Sequence, residues 1–166
     1  AEEALRASEE LTRTIAENST LALVVMDERG YCTYCNPALL AMTGFDAEEI
    51  RSAPLHDLIH HHHPDGRPYP KDDCPLDRAL PENFDVRAHE DVFFRKDGST
   101  FLVSCAASPI FRDGRPISTV IEVRDVTAER AAQRALSDRE ERLRVALEAG
   151  RLGDWSWDAA TDAATI

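Results

Sequence analysis

The sequence lacks a long hydrophobic run. Its longest uninterrupted apolar stretch is Leu21 to Met26, whereas a membrane-spanning helix needs about 20 apolar residues. Residues 1–15 do not resemble a secretory signal either. We therefore expect a cytoplasmic location and no membrane contact within these residues.

Basic residues are also scarce. The 166 residues include 19 Lys and Arg against 31 Asp and Glu, so the formal net charge is -12. Such a chain is not attracted to phosphate backbones by its overall charge. We therefore expect no direct nucleic-acid partner.

Motifs typical of enzymes are missing from the sequence. We find no Gly-rich phosphate loop, kinase phosphoacceptor motif, paired catalytic carboxylates or nucleophile elbow. The hydrophobic share of 43% and the charged share of 30% still indicate a globular domain with one core. The chain is therefore predicted to be non-catalytic.

The four cysteines are Cys32, Cys35, Cys74 and Cys105, and without a leader they are predicted to be reduced thiols. Cys32 and Cys35 have the spacing of a thiol-redox motif, but Cys32 lies on a predicted strand. Residues three apart on a strand point to opposite faces. We therefore interpret this pair as packing residues, with a paired function as the less favoured alternative.

Apolar periodicity and turn signals predict an α+β domain. Two Asp-Gly turns, in Arg95 to Gly98 and Arg112 to Arg115, indicate a meander of three antiparallel strands. The predicted strands are Leu21 to Met26, Tyr31 to Tyr34, 85–94, 100–111 and 116–124. The predicted short helices cover 36–42, 46–49, 54–59 and 74–80, and residues 60–73 are predicted to form a loop with little regular structure.

Two longer helices flank the strands. Residues 2–17 carry a narrow stripe of Ala4, Ser8, Leu11 and Ile15, and 128–149 carry Ala132, Leu136, Leu143 and Leu147 on one side. A narrow stripe of this kind suits pairing with another helix better than packing on a broad core. We therefore expect a homodimer formed through these helices.

Several short motifs, in this order and spacing, resemble the PAS sensory domains of bacterial signalling proteins. The resemblance covers roughly residues 18–127. The motifs are Asp27 to Gly30, Tyr34 to Ala38, Met42 to Phe45, Glu48 to Ile50, Phe94 to Ser99, Ser108 to Ile110 and Arg124 to Thr127.

The resemblance implies a PAS fold with a five-stranded antiparallel sheet of strand order 2-1-5-4-3. It implies a sensory input module whose downstream output, in the same polypeptide, is a histidine kinase of a two-component system, a diguanylate cyclase or a similar unit. The predicted organisation is a linker helix at 1–17, a PAS domain at 18–127 and a signalling helix at 128–150. Residues 151–166, with Trp155 and Trp157, are similar to the start of a second, truncated PAS domain.

The flavin-binding light sensors of this family carry a reactive cysteine in an Asn-Cys-Arg motif. This chain has Cys35-Asn36-Pro37 instead, so adduct photochemistry is not expected. A small-molecule ligand between the sheet and the short helices would lie against candidate pocket residues that are equally good core residues. These residues are Val103, Cys105, Ala107 and Ile121.

A histidine run precedes Cys74. The residues His60, His61, His62, His63 and Cys74, with His56 as a further candidate, supply ligands that zinc, nickel or iron accept. Adjacent loop histidines cannot all point one way, so we predict no stoichiometric metal and favour no cofactor. A metal- or haem-sensing module, a pH response of the run and a solvated loop remain open. His89 is interpreted as a structural or edge residue.

The last motif marks the predicted exit from the sheet. Asp125 ends the last strand and Thr127 opens the long helix, so both side chains are expected to bond free backbone donors of the first helical turn. Asp125 is also expected to pair with a cation such as Arg124 or Arg130. We regard Asp125 and Thr127 as candidate signal-relay residues, with simple helix capping as the alternative. A further alternative for the whole chain is a dimerisation spacer that binds no ligand.

Overall fold

The computed structural model describes residues 2–150, 156–158 and 163–165, and the chain divides into two compact units, Ala1–Thr127 and Ala128–Ile166. The strands of the first unit are β1 (Ala22–Asp27), β2 (Cys32–Cys35), β3 (Val86–Phe94), β4 (Thr100–Arg112) and β5 (Arg115–Asp125). Its helices are α1 (Glu2–Glu17), α2 (Pro37–Thr43), α3 (Leu55–Ile59) and α4 (Pro75–Glu82), and single 3-10 turns lie at Glu49–Arg51 and Lys71–Asp73.

The five strands form one antiparallel sheet of order β2-β1-β5-β4-β3. This order confirms the α+β PAS fold expected from the sequence. β1 and β5, the first and last strands of this sheet along the chain, pair with each other at its centre.

One face of the sheet forms the core of the first unit. Burial alternates along β1 and along most of β4, as expected for strands with one face covered. Val24 lies opposite Ile121, and Ile121 lies opposite Ala107, so three buried side chains form a row across the sheet. The buried helical residues that belong to the same core are Leu39, Leu55, Ile59, Leu76 and Ala79.

Both Asp-Gly turns close hairpins as predicted. Asp113 and Gly114 have φ values of 51° and 73°, and they connect the paired residues Arg112 and Arg115. Two central residues with positive φ define the turn that matches the twist of a two-residue hairpin. The long β4–β5 ribbon therefore follows directly from this dipeptide.

Asn36 fixes the start of α2 and holds α1 to the sheet. Its side-chain oxygen accepts hydrogen bonds from the amides of Leu39 at 3.2 Å and Leu23 at 2.9 Å. Its side-chain nitrogen donates to the carbonyls of Ala16 at 2.9 Å and Leu21 at 2.8 Å. The predicted helix cap is therefore also the fully buried junction of three elements.

The segment 60–73 is more regular than its prolines suggest. Tyr69 donates its amide to His61, His63 donates to Arg67, and His62 forms an isolated β-bridge with Pro68. A proline-rich stretch can still form a small hairpin where the required donors are not proline nitrogens.

The second unit contains α5 (Thr127–Ala149, which begins at the last residue of the first unit) and an antiparallel pair of short strands, β6 (Ser156–Asp158) and β7 (Ala163–Thr165). The expected start of a second PAS domain therefore lies partly outside the described residues, which include Trp157 but not Trp155. Among the described residues, no helix is both long enough and apolar enough to span a membrane.

Candidate functional site

Three buried side chains with metal-ligating atoms converge between α3, α4 and the sheet. His56 and His60 are four residues apart at α3, a spacing that places side chains on the same helix face. Cys74 directly precedes α4. One potential ligand atom of each residue lies within 4.8 Å of those of the other two. We call His56, His60 and Cys74 the His-Cys cluster.

His56 is held by groups on both sides of its ring. Nε2 lies 2.7 Å from the backbone oxygen of Tyr69, and because a carbonyl oxygen can only accept, Nε2 carries a proton. Nδ1 lies 3.3 Å from Oδ2 of Asp77, but it is buried and has no aligned hydrogen-bond partner. His56 therefore directs an unsatisfied nitrogen toward Asp77.

His60 lies between the thiol and a carboxylate. Nδ1 is 3.3 Å from Sγ of Cys74, and Nε2 is 3.0 Å from Oδ2 of Asp91. The second distance is that of an ion pair, although the nitrogen and the carboxylate are not aligned for a hydrogen bond. Asp91 also lies 3.2 Å from Nε2 of His89, so His89 has a structural role at this carboxylate.

A bulge in β3 makes the Asp91 contact possible. The register shifts between Val86 and His89, and Ala88 has a φ of 47°. Without the extra residue, alternation from the buried Val86 would direct Ala88 and Glu90 inward. The bulge instead places Asp91 on the inner face, opposite the buried Val103.

The charges in the cluster stabilise one another. Burial lowers the pKa of His56, but Asp77, Cys74 and the Tyr69 carbonyl more than offset this effect and raise it to about 10. Burial likewise opposes a charge on His60, and Asp91 and Cys74 raise the pKa of His60 overall. Burial would raise the pKa of Cys74, but the neighbouring His56 and His60 rings lower it overall. The cluster thus raises the pKa of both histidines and lowers that of the thiol.

The other loop histidines do not join the His-Cys cluster. His63 stacks on Tyr69 with ring centroids 4.2 Å apart, and His61 packs on Phe94. The ring nitrogens of His61 and His62 face each other, and burial and neighbouring histidines lower the pKa of His61. Of the candidate ligands named from the sequence, the structure brings together only His60, Cys74 and His56.

The core next to the cluster has little free space. A cavity of about 20 Å³ lies between His56, His60 and the apolar side chains around them, including Ile121. Ligand pockets in proteins measure about 300–1,000 Å³, so this space fits about one water molecule and no porphyrin. The other candidate pocket residues, Val103, Cys105 and Ala107, are fully buried in the core of the sheet.

The remaining cysteines have the properties of packing residues. Burial is the main cause that raises the pKa of Cys32 to about 12, and it also raises the pKa of Cys105. Cys32 is buried and Cys35 is half-buried. A thiol whose pKa is raised by apolar surroundings is a poor nucleophile.

The junction between β5 and α5 differs in part from the sequence-based expectation. Oδ1 of Asp125 accepts the amide of Thr127 at 2.9 Å, as expected for a cap. Oγ1 of Thr127, however, accepts the amide of Leu102 in β4 at 2.9 Å. The Thr127 side chain therefore ties the helix start to the neighbouring strand, a contact that the sequence did not predict.

Arg95, a cation that the sequence did not point to, contacts Asp125 at this junction. Its guanidinium lies 3.2 Å from Oδ2 of Asp125, donates to the backbone oxygen of Met42 at 3.0 Å and lies over the ring of Phe101. The contact depends on the β3–β4 turn, which is 30 residues away in sequence. Arg95, Asp125, Thr127 and Leu102 are called the exit junction.

Sequence reasoning missed several residues of both sites. The i, i+4 spacing of His56 and His60 across a short helix was a usable signal for the His-Cys cluster. Asp91 and Tyr69 left no such signal, because their positions depend on the bulge and on the small hairpin of 60–73. Arg95 lies in a quoted motif, but its partner in space could not be read from the chain.

Comparison with known proteins identifies the fold family. A PAS domain family model matches residues 20–128. The solved PAS domain of a protein from Colwellia psychrerythraea superposes with a TM-score of 0.59 at 17% identity and covers 72% of this chain and 97% of its own. A domain of a sensory box sensor histidine kinase/response regulator from Geobacter sulfurreducens has a TM-score of 0.57 at 17% identity and covers 73% and 96%.

A curated relative matches most of this chain. The probable diguanylate cyclase DgcE of Escherichia coli strain K12 is 22% identical over 156 residues. The match covers 91% of this chain but 13% of the length of the cyclase. PAS domains are sensory modules of signalling proteins and are typically non-catalytic. The family match over most of the first unit, together with the strand order, shows that this chain belongs to the PAS domain family.

Proposed function

We propose that this chain is the sensory input and dimerisation module of a larger signalling protein, and that it passes a change in its core to a downstream kinase or cyclase through α5. The family, its structural neighbours in sensor kinases and the weak match to a cyclase support this assignment. The ligand or partner that starts the change acts on the first unit.

The observation that carries the proposal is the exit junction. The side chain of Thr127 bonds to β4, the side chain of Asp125 bonds to the amide of Thr127, and Arg95 connects Asp125 to the end of α2. A displacement of β4 or of the β3–β4 turn therefore acts directly on the first residue of α5. Through such contacts, a change in the packed sheet would favour one of two arrangements of the helix pair that α5 forms with α5 of a second copy.

Exposed apolar side chains support dimerisation. In α1, Leu11 and Ile15 are 61% and 64% exposed, and in α5, Leu136 and Leu143 are 59% and 57% exposed. An open groove of about 670 Å³ lies between α1 and the outer sheet face. Burial of such residues against a second copy would remove apolar surface from water.

The relay is tested in the full-length protein with Asp125→Ala, and Asp46→Ala is the matched control. Like Asp125, Asp46 accepts backbone hydrogen bonds through Oδ1, here from the amides of Glu48 and Glu49 at 2.9 Å each. Asp46 lies at a turn that is remote from α5 in sequence. Each substitution is expected to cost about 1 kcal/mol of unfolding free energy. Basal output should change in Asp125→Ala and not in Asp46→Ala. Equal output in the two variants would reduce the exit junction to a helix start.

The dimer is tested by sedimentation of the chain with and without residues 1–17. Deletion of residues 1–17 should shift the population toward monomer, because the apolar stripe of α5 that remains is short and gives weak association by itself. Two chains that sediment as the same species would exclude α1 as the dimer contact.

A further inference from the structure

We infer that the His-Cys cluster is a zinc site, with His56, His60 and Cys74 as ligands and with the Asp77 carboxylate, 3.3 Å from His56, turning toward the ion as the fourth. The inference deepens the proposed function by naming the chemical class of the ligand. It rests on that function only in treating zinc binding as the signal that the module passes on. It reverses our sequence-based prediction that no metal binds. The reason is that His60 is buried at the end of α3, where it meets His56 and Cys74, and is separated from the side chains of His61, His62 and His63.

The donor atoms have the chemistry of a zinc site, and two pairs of them have the spacing of neighbouring tetrahedral ligands. Zn²⁺ binds imidazole nitrogen at about 2.0–2.1 Å and thiolate sulfur at about 2.3 Å, so nitrogen and sulfur ligands lie about 3.5 Å apart. Nδ1 of His60 is 3.3 Å from Sγ of Cys74, and Nδ1 of His56 is 3.3 Å from Oδ2 of Asp77. Both distances fit neighbouring ligands on one ion.

The outer contacts select the nitrogens that face the centre. Nε2 of His56 is committed to the Tyr69 carbonyl, and Nε2 of His60 faces Asp91. Both rings therefore turn Nδ1 toward Cys74 and Asp77. Zinc-bound histidines commonly have their second nitrogen held by a carbonyl or a carboxylate, which fixes the ring and strengthens the ligand.

Two buried polar atoms lack a partner at this point of the fold. The side chains of His56 and Asp77 are 3% and 6% exposed, and Nδ1 of His56 and Oδ1 of Asp77 have no aligned hydrogen bond. Burying a polar group without a hydrogen bond is energetically costly. A cation at the centre of the cluster would directly satisfy the His56 nitrogen.

Charge balance also favours a divalent cation. Cys74 binds as a thiolate and both imidazoles bind as neutral rings, so the protons on Sγ and on the two Nδ1 atoms are released to solvent, and Zn²⁺ with this thiolate and the Asp77 carboxylate is neutral. The Lys71 ammonium, 3.7 Å from Oδ1 of Asp77, contacts the carboxylate oxygen opposite the one that faces His56. Soft sulfur with two imidazoles and one carboxylate suits zinc better than magnesium or calcium.

The site is closed by its own ligands. Four protein donors complete the tetrahedral shell, which is the pattern of structural zinc sites and not of catalytic ones. Zinc would link α3 to the start of α4, and through Asp91 both would connect to β3. Binding would thus order the helical side of the core.

The test is a titration of the chain, freed of metal by a chelator and kept reduced, with Co²⁺ alone. One equivalent should produce the absorption bands of tetrahedral Co²⁺ and a thiolate-to-cobalt charge-transfer band. Added Zn²⁺ should then remove the cobalt spectrum at one ion per chain. Saturation without a charge-transfer band, or the absence of stoichiometric binding, would overturn the inference.

Matched variants locate the site. Cys74→Ser should abolish the charge-transfer band, whereas Cys35→Ser, which alters a half-buried thiol outside the cluster, should leave it intact. His62→Ala should leave binding intact as well. Binding that survives Cys74→Ser and disappears in His62→Ala would assign the metal to the exposed run and contradict the inference.

A second variant guards against misfolding. Asp91→Asn is close to isosteric and removes the carboxylate charge that faces His60 and His89. It is expected to weaken Co²⁺ and Zn²⁺ binding about 10- to 100-fold with an unchanged circular dichroism spectrum. Unchanged affinity would contradict the predicted ligand geometry. These measurements need no output domain, so a chain that binds no metal leaves the relay proposal standing, and an unresponsive output leaves the zinc site standing.

Discussion

Replacement of Asn36 by alanine should destabilise the first unit strongly. The substitution removes four side-chain hydrogen bonds, to the amides of Leu23 and Leu39 and to the carbonyls of Ala16 and Leu21. Each buried hydrogen bond contributes about 1 kcal/mol net, and an orphaned buried group costs about 1–3 kcal/mol. The size of the effect depends on which of these four groups find another partner.

Three of the four groups keep a partner. Leu39 still donates its amide to the Asn36 carbonyl at 3.1 Å, Leu21 still accepts from the Ser19 hydroxyl at 3.2 Å, and the Ala16 carbonyl still accepts the Ser19 amide at 3.4 Å. The full cost of an orphaned group therefore falls on the Leu23 amide, in addition to the bonds that the other three groups lose. We expect Asn36→Ala to lower the free energy of unfolding by about 2–3 kcal/mol.

The assay is equilibrium urea unfolding, followed by the NMR amide signals of β1 and β5. Tryptophan fluorescence is not used, because both tryptophans lie after residue 150 and thus outside the first unit. Asn18→Ala is the control, since its exposed side chain makes one local bond to the Thr14 carbonyl, and it should change stability by less than about 0.5 kcal/mol. Asn36→Asp keeps the acceptor but turns a carboxylate toward two carbonyl oxygens, so it should be as damaging as Asn36→Ala. A loss below about 1 kcal/mol in Asn36→Ala would refute the three-element junction.

Two other predictions concern the bulge and the short helices. Ala88→Gly should raise the free energy of unfolding by about 0.5–1 kcal/mol, because relief of left-handed strain exceeds the added freedom of the unfolded chain; thermal unfolding measures it, and a lower melting temperature would contradict a strained Ala88. For Asp46, backbone hydrogen bonding from Glu49 is the first cause that lowers the pKa below 3.8, so its ionised form favours folding. The stability advantage over Asp46→Asn should be full above pH about 4 and shrink as the pH falls through the folded-state pKa, and a pH-independent difference would contradict the cap.

Most of the secondary structure could be predicted because its signals are local. The Asp-Gly turn at Asp113 fixes one hairpin through backbone preference alone, and Pro37 after Asn36 marks the start of α2. Strand order came from the resemblance and not from the residues themselves. Sequence periodicity cannot say which strands are neighbours.

The candidate site was predicted poorly because its geometry depends on long-range contacts. His61, His62 and His63 looked equivalent to His60 in sequence, but only His60 faces Cys74. The inward position of Asp91 requires the extra residue at Ala88, and nothing in the alternating pattern of β3 announces it. The bond from the Leu102 amide to Thr127 was not predicted because Leu102 lies 25 residues away in sequence.

The output activity of the full-length protein carrying Arg95→Ala and Asp125→Ala, singly and together, tests the relay most directly. Both substitutions break the same contact, which spans 3.2 Å at the exit junction. If the contact transmits the signal, each single variant should shift basal output in the same direction, and the double variant should shift it no further. Output that remains at the wild-type level in all three variants, or effects that add in full, would contradict transmission through this contact.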